Sequence, residues 1–426
     1  MRNPDHTKLA IDVQSEIGKL EAVLLHTPGP EVENMTPRMA QRALYSDILN
    51  LSIARREYEQ IEGVLSQVAR ICQVRDLLAM VLDKPACRQE LVSKICLAEQ
   101  AGSCYDTLMA MSTQQLVKAL IEGLPAKIDT LTAFLSEDYY SLFPLYNFYF
   151  TRDSSVTIGN NALICRMANQ VRVREAIIMD AIYRNSGAFS CGTIDLPSAV
   201  PARGEIFVEG GDVLVARADI LIVGNGMRTS AAGIDALSQR FCEMYPEGKK
   251  HIIVQQLPAS PESFIHLDMV FTMLDRDKCM VFEPLIRRDR SFKTVHITLE
   301  DGRVSHIGAV AGILPALRSL GLDLEPVSCG GSADSWVQER EQWHSGSNMF
   351  AFAPGKVLCY ARNEATLQEM DRHGFEILAA RDVMAGKKKL DDYVRCCVTI
   401  QGSELPRGGG GARCMTMPLA RKAVDW

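Results

Sequence analysis

Beyond Pro144 the chain is cut into short β-rich runs that stand too close together for anything but turns or single helices between them. NALIC, EIFVEGGDVLVA, DILIVG, HIIVQQL and DMVFTML are such runs, and their spacing predicts strands. VFTML meets CMVF across Asp275-Arg276-Asp277-Lys278, and MFAFA meets KVLCY across Pro354-Gly355, which predicts hairpins. Helical stretches such as RVREAIIMDAIYR and SAAGIDALSQRF fall between the runs. No exact repeat is present, but the recurring strand, hairpin and helix modules are compatible with a pseudo-symmetric α/β body.

The region before Pro144 obeys a different period. Glu21 to His26 reads as a strand closed by Thr27-Pro28-Gly29-Pro30. From Leu44 the residues Leu44, Ile48, Leu51, Tyr58, Ile61, Leu65 and Val68 recur at threes and fours, the stripe of an amphipathic helix. Helical patterning continues to about residue 135. Ser112 and Gln115 stand at capping-box spacing ahead of LVKALIEGL. The expected organisation is a small helical bundle at 41–142 set into an α/β body made of 1–40 and 143–426.

Composition narrows the function. Lys and Arg number 46 against 52 Asp and Glu, a formal charge of −6, so neither nucleic acid nor an anionic membrane is the expected partner. The charged N-terminal stretch does not read as an export signal, and no apolar run reaches the ~18 residues of a membrane helix. The 13 cysteines are scattered without C-x-x-C or zinc-finger spacing. Reduced thiols in a cytoplasmic protein, without a metal site, are expected.

Four segments place polar residues inside or beside apolar runs. Asn147-Phe148-Tyr149-Phe150-Thr151-Arg152-Asp153 ends an aromatic run on a carboxylate, which also suits the start of a turn. Glu209-Gly210-Gly211-Asp212 sets two carboxylates about a Gly pair, as a bulge, a close backbone approach or a plain turn would. His266-Leu267-Asp268, read as a strand, turns imidazole and carboxylate to one face. Arg407 to Cys414 carries four consecutive glycines, a mobile loop presenting a thiol or a flexible linker. No Walker A, G-x-S-x-G, H-E-x-x-H or dinucleotide motif stands in a supporting context. Cysteine, histidine and surplus carboxylates suit thiolate attack on a carbon bound to nitrogen in a cationic substrate.

Together these segments resemble bacterial arginine deiminases, members of the guanidino-group-modifying superfamily. LLHTPGPEVENMTP, NFYFTRD, RVRE, EGGD, GMRT, HLD and RCMTMP occur in the family's order along nearly the whole chain. The resemblance implies a five-bladed pseudo-symmetric α/β propeller with a helical insertion. It implies Cys414 as nucleophile, His266 as general acid and base, Glu209 as that histidine's partner, and Asp153 and Asp268 as the guanidinium clamp. Arg172 and Arg228 match residues that hold the substrate α-carboxylate, Asn147 and Phe150 line the substrate, and Asp212 supports the site. The implied reaction converts L-arginine to L-citrulline and ammonia through a thiouronium intermediate, without a cofactor, in a homo-oligomer. Amidinotransferase, dihydrolase and substituted-arginine hydrolase are the neighbouring activities, and a non-catalytic guanidine-binding protein is the alternative outside enzymology. Two departures stand out: Gly409 occupies the place of a loop arginine in the family pattern, and LYSDILNLSIARREYEQ replaces an early acidic, Trp-rich motif.

Overall fold

Both hairpins form where the turn residues require them. Phe271–Met273 pairs antiparallel with Lys278–Val281, and Phe350–Ala353 with Lys356–Tyr360. These come from a computed structural model that describes residues 8–135, 139–197, 199–200 and 204–426. Residues 1–7, part of the stretch read as no export signal, lie outside the described residues, as do 136–138 at the end of the helical region.

One arrangement recurs through the α/β fold. Among the described residues, five sheets have three or more strands. In each, an antiparallel pair is extended by a strand parallel to one member. Ser155–Ile158 and Asn161–Ile164 are extended by Gly192–Ile194 after the helix Val173–Asn185. Val213–Arg217 and Ile220–Asn225 are extended by Lys250–Gln256 after the helix Ala231–Met244. The two hairpins above gain Glu325–Ser328 and Cys396–Ile400 in the same way. In the fifth sheet, Met417–Arg421 pairs antiparallel with Leu20–Leu25, and Arg70–Gln73 lies parallel beside it. A parallel strand needs a crossover, and a helix over the sheet supplies one while covering an apolar face.

The region 41–142 departs from a purely helical reading, and Leu124–Pro125 pairs antiparallel with Tyr140–Leu142 within it. Leu44 takes φ +63 in a turn, and the long helix runs only over Leu51–Leu65, N-capped by Asn50. Arg70–Gln73 leaves the helical period and adds a strand beside Leu20–Leu25. The capping box is present: Ser112 and Gln115 close the start of Thr113–Glu122. Apolar residues of this region share cores with the sheets. Leu91, Ile95 and Leu120 pack with Leu24 and Met417, while Tyr58 and Ile61 pack with Cys414 and Met415. Among the described residues, no helix is long and apolar enough to cross a membrane.

Candidate active site

His266 is buried at the start of a short 3-10 turn, Leu267–Met269, rather than in a strand. The turn forms because the Asp212 Oδ1 accepts the Leu267 N–H at 2.9 Å while the Leu267 side chain is buried in the core. That corrects the strand geometry assumed from the i, i+2 spacing. The imidazole Nε2 lies 2.9 Å from Glu209 Oε2, and Nδ1 faces Asp153 Oδ1 at 3.7 Å without a hydrogen bond. Burial opposes the imidazolium, but Asp153, Glu209 and Asp212 outweigh it and lift the histidine to about 9. Burial likewise opposes the Glu209 anion, yet Arg228 and His266 hold that carboxyl down at about 2. The Gly-Gly pair of the EGGD segment serves a close approach: a Cβ on Gly211 would lie 2.4 Å from His266 Nδ1, and one on Gly210 would lie 2.0 Å from the Arg152 carbonyl.

Cys414 is buried against the same cluster, with Sγ 3.7 Å from Asp268 Oδ2. Asn348 donates from Nδ2 to the sulfur at 3.2 Å, and its Oδ1 accepts the N–H groups of Arg413 and Cys414. Burial, followed by Asp268 and Asp153, pushes the thiol well above its ordinary range. The same carboxylates thus favour the proton on both the thiol and the imidazole. A cation seated between the two aspartates would cancel the charges that hold the proton on sulfur.

Each of those aspartates is held by a guanidinium of the chain itself. Arg172 Nη1 donates to Asp153 Oδ2 at 2.7 Å, and Arg413 Nη1 donates to Asp268 Oδ2 at 2.8 Å. Arg172 is further bound to both Glu175 oxygens and to the Asn147 carbonyl. Arg413 grips Glu16 and the Val213 carbonyl. Asp153 Oδ1 has no hydrogen-bond partner, and a buried orphan acceptor is costly unless a ligand meets it.

Of the remaining sequence-derived residues, Arg228 is half-buried and reaches Glu209 at 3.3 Å. Asn147 points its amide to the Ala43 carbonyl at 2.7 Å, so only its backbone faces Arg172. Phe150 lies under the glycine loop. A Cβ on Gly410 would stand 2.4 Å from its ring, and one on Gly408 would stand 2.0 Å from the Tyr149 hydroxyl. Those glycines allow close packing, so the loop is not a free tether. Gly409 is different: it takes φ +86 with open space about it, so the backbone favours glycine there although a side chain would fit. Sequence reasoning passed over Asn348, Glu16, Glu175 and Arg413. The last two were visible in RVRE and RCMTMP, whereas Asn348 and Glu16 carried no local signal. Among the described residues, no group of three or more His, Cys, Asp or Glu side chains is disposed to hold a metal ion.

Known proteins share both the fold and the sequence. The N-terminal domain of ArgZ, a cyanobacterial arginine dihydrolase, superposes with a TM-score of 0.51 at 12% identity, covering 95% of this chain and 99% of that one. AgrE superposes with a TM-score of 0.52 at 13% identity over 95% of this chain, which spans only 40% of that longer protein. The fold is thus shared with these proteins. The family model for arginine deiminase matches residues 41–421. Arginine deiminase of Bacillus cytotoxicus is 32% identical over 98% of this chain and 100% of its own length. The chain belongs to the arginine deiminase family.

Proposed function

We propose that this enzyme hydrolyses L-arginine to L-citrulline and ammonia, with Cys414 as nucleophile. The observation that carries the reading is the meeting, in one buried site, of a thiol, a Glu209-braced imidazolium and two aspartates that each keep one oxygen uncommitted to an arginine. Asp153 Oδ1 and Asp268 Oδ1 receive the guanidinium N–H groups and hold the central carbon at the sulfur. The incoming cation offsets the aspartate charges, so the thiol gives its proton to solvent and the sulfur attacks the guanidinium carbon. His266 Nδ1 gives its proton to the departing nitrogen and ammonia leaves, which forms a thiouronium on Cys414. The neutral imidazole then takes a proton from water. The resulting hydroxide attacks the same carbon, the C–S bond breaks, and citrulline and the thiol are released. Proton transfers of this kind contribute ~10²–10⁴-fold to a rate.

Arg228 and Arg172 are the proposed anchors of the substrate α-carboxylate. Arg228 has donors to spare beyond its longer contacts to Glu209. Arg172, committed to Asp153 and Glu175, must exchange a partner to take part. Asn147 and Phe150 shape the pocket, through the Arg172 contact of the first and the ring of the second. The five like-built sheets support a closed five-bladed propeller, into which 41–142 is inserted as a helical segment with 1–40 and 143–426 as the body. A cytoplasmic homo-oligomer that acts on small guanidines, without nucleic acid, membrane or cofactor, completes the reading.

Product analysis tests the activity. Purified protein given L-arginine, with agmatine and N-methylated arginines in parallel, should release citrulline and ammonia in equal amounts from arginine. Ornithine with two ammonia per arginine would make it a dihydrolase. Turnover only of a substituted arginine would move it to a neighbouring activity.

A further inference from the structure

Glu57, in the helix Leu51–Leu65, is a buried carboxylate that no part of the proposed reaction uses. Its oxygens are taken by a run of backbone donors rather than by a cation. Oε1 accepts the Ser403 N–H at 2.6 Å, the Ser403 hydroxyl at 2.5 Å and the Glu404 N–H at 3.3 Å. Oε2 accepts the N–H groups of Glu404 at 3.1 Å and Leu405 at 3.0 Å. A buried anion is retained against its desolvation cost when such charge-assisted bonds converge on it.

The segment it grips leads directly to the nucleophile. From Leu405 the chain runs through Gly408, Gly410 and Gly411, packed on Tyr149, Phe150 and Asn348, to Cys414. The stretch just ahead of and into this helix adds three outer contacts. Asn50 N–H donates to Glu404 at 2.8 Å, Ser46 donates to the Arg407 carbonyl at 2.9 Å, and Asp47 pairs with Arg407. On the inner side Tyr360 donates to the Gly410 carbonyl at 3.0 Å. The loop is thus fastened from both faces, and Glu57 is the carboxylate on which the donors of Ser403, Glu404 and Leu405 converge. We propose that Glu57 is a positioning residue: it holds 403–411 closed over the site and so sets the placement and exposure of the Cys414 thiol.

The kinetic half of this proposal rests on the deiminase reading, whereas the exposure half does not. The test is alkylation of Cys414 by iodoacetamide, followed by mass spectrometry of the Cys414 peptide, beside kcat and KM for arginine. In Glu57→Gln the amide NH2 opposes N–H donors, so at least one end of the fastening is lost. Alkylation should quicken by ~10-fold through easier local opening. kcat should fall by ~10-fold with KM changed by less than ~3-fold, because the reacting sulfur is misplaced while the substrate contacts stay. Wild-type values throughout, or a kcat loss with unchanged alkylation, would overturn the proposal. Should Glu57→Gln fail to fold, Ser403→Ala decides, because it removes the hydroxyl that Glu57 accepts: faster alkylation supports the fastening and an unchanged rate overturns it. A wild-type enzyme inert toward arginine would defeat the proposed reaction and leave the alkylation comparison intact.

Discussion

Gly211 is the residue at which backbone and chemistry meet most closely. A methyl there would press on the imidazole nitrogen that faces the reacting centre. Gly211→Ala should therefore cost ~10²-fold in kcat, as a misplacement of about 1 Å does, with the substrate KM little changed. Steady-state kinetics checks this, and wild-type kcat would show that Nδ1 is not the working nitrogen. The thiol makes a second prediction. Because burial and two aspartates raise Cys414, its alkylation should titrate above the ordinary ~8.5 of a free cysteine. Asp268→Asn should move that midpoint down, since it removes the largest charge acting against the thiolate. Arg228→Ala should raise KM for arginine by ~10–10²-fold, the loss of charged hydrogen bonds, and raise KM for agmatine, which lacks the carboxylate, far less. The residues that sequence reading proposed and the fold gathers stand in short motifs with tell-tale neighbours, such as EGGD and RCMTMP. Asn348 escaped it because one amide in GSNMFAF looks like any loop polar residue, and its three bonds to Arg413 and Cys414 exist only after folding.

At the scale of elements, the site depends on staples between segments far apart in sequence. Glu16, near the start of the chain, is bound to Arg413 beside Cys414 at 3.0 and 3.1 Å. Burial opposes its charge, but Arg413 and Arg152 draw the carboxyl from 4.5 down to about 2. A depressed folded-state value stabilises the protein fully above pH 4.5, and that contribution disappears as pH falls toward 2. Glu16→Gln should thus destabilise by ~3 kcal/mol at pH 7, the linkage worth of a carboxyl drawn that far down. Urea unfolding should show the gap to wild type closing between pH 4.5 and 2. A gap independent of pH would mean that shape rather than charge is at work. The elements themselves were largely legible, because hairpin turns and 3.6-residue stripes are local signals. Two were not. Arg70–Gln73 ends an amphipathic run yet gains its ladder from Leu20–Leu25, a partner that periodicity does not see. The turn at His266 owes its shape to Asp212, a carboxylate distant in sequence.

For the whole molecule, residues 41–142 are tied into the sheets. They supply the strand Arg70–Gln73 beside Leu20–Leu25, and Glu57 among them binds the loop before Cys414. This reach was hidden in the sequence, where 41–142 shows only a change of period. The motif order pointed to the chemistry because the members of each constellation keep recognisable neighbours even when the fold gathers them from across the chain. The central claim is covalent catalysis by Cys414, and acid quenching within the first turnover tests it directly. Protein mixed with saturating L-arginine should carry a transient mass gain equal to arginine less ammonia, on the Cys414 peptide, and Cys414→Ser should carry none and release no citrulline. Citrulline release at the wild-type rate from Cys414→Ser, or an adduct on another residue, would contradict the account.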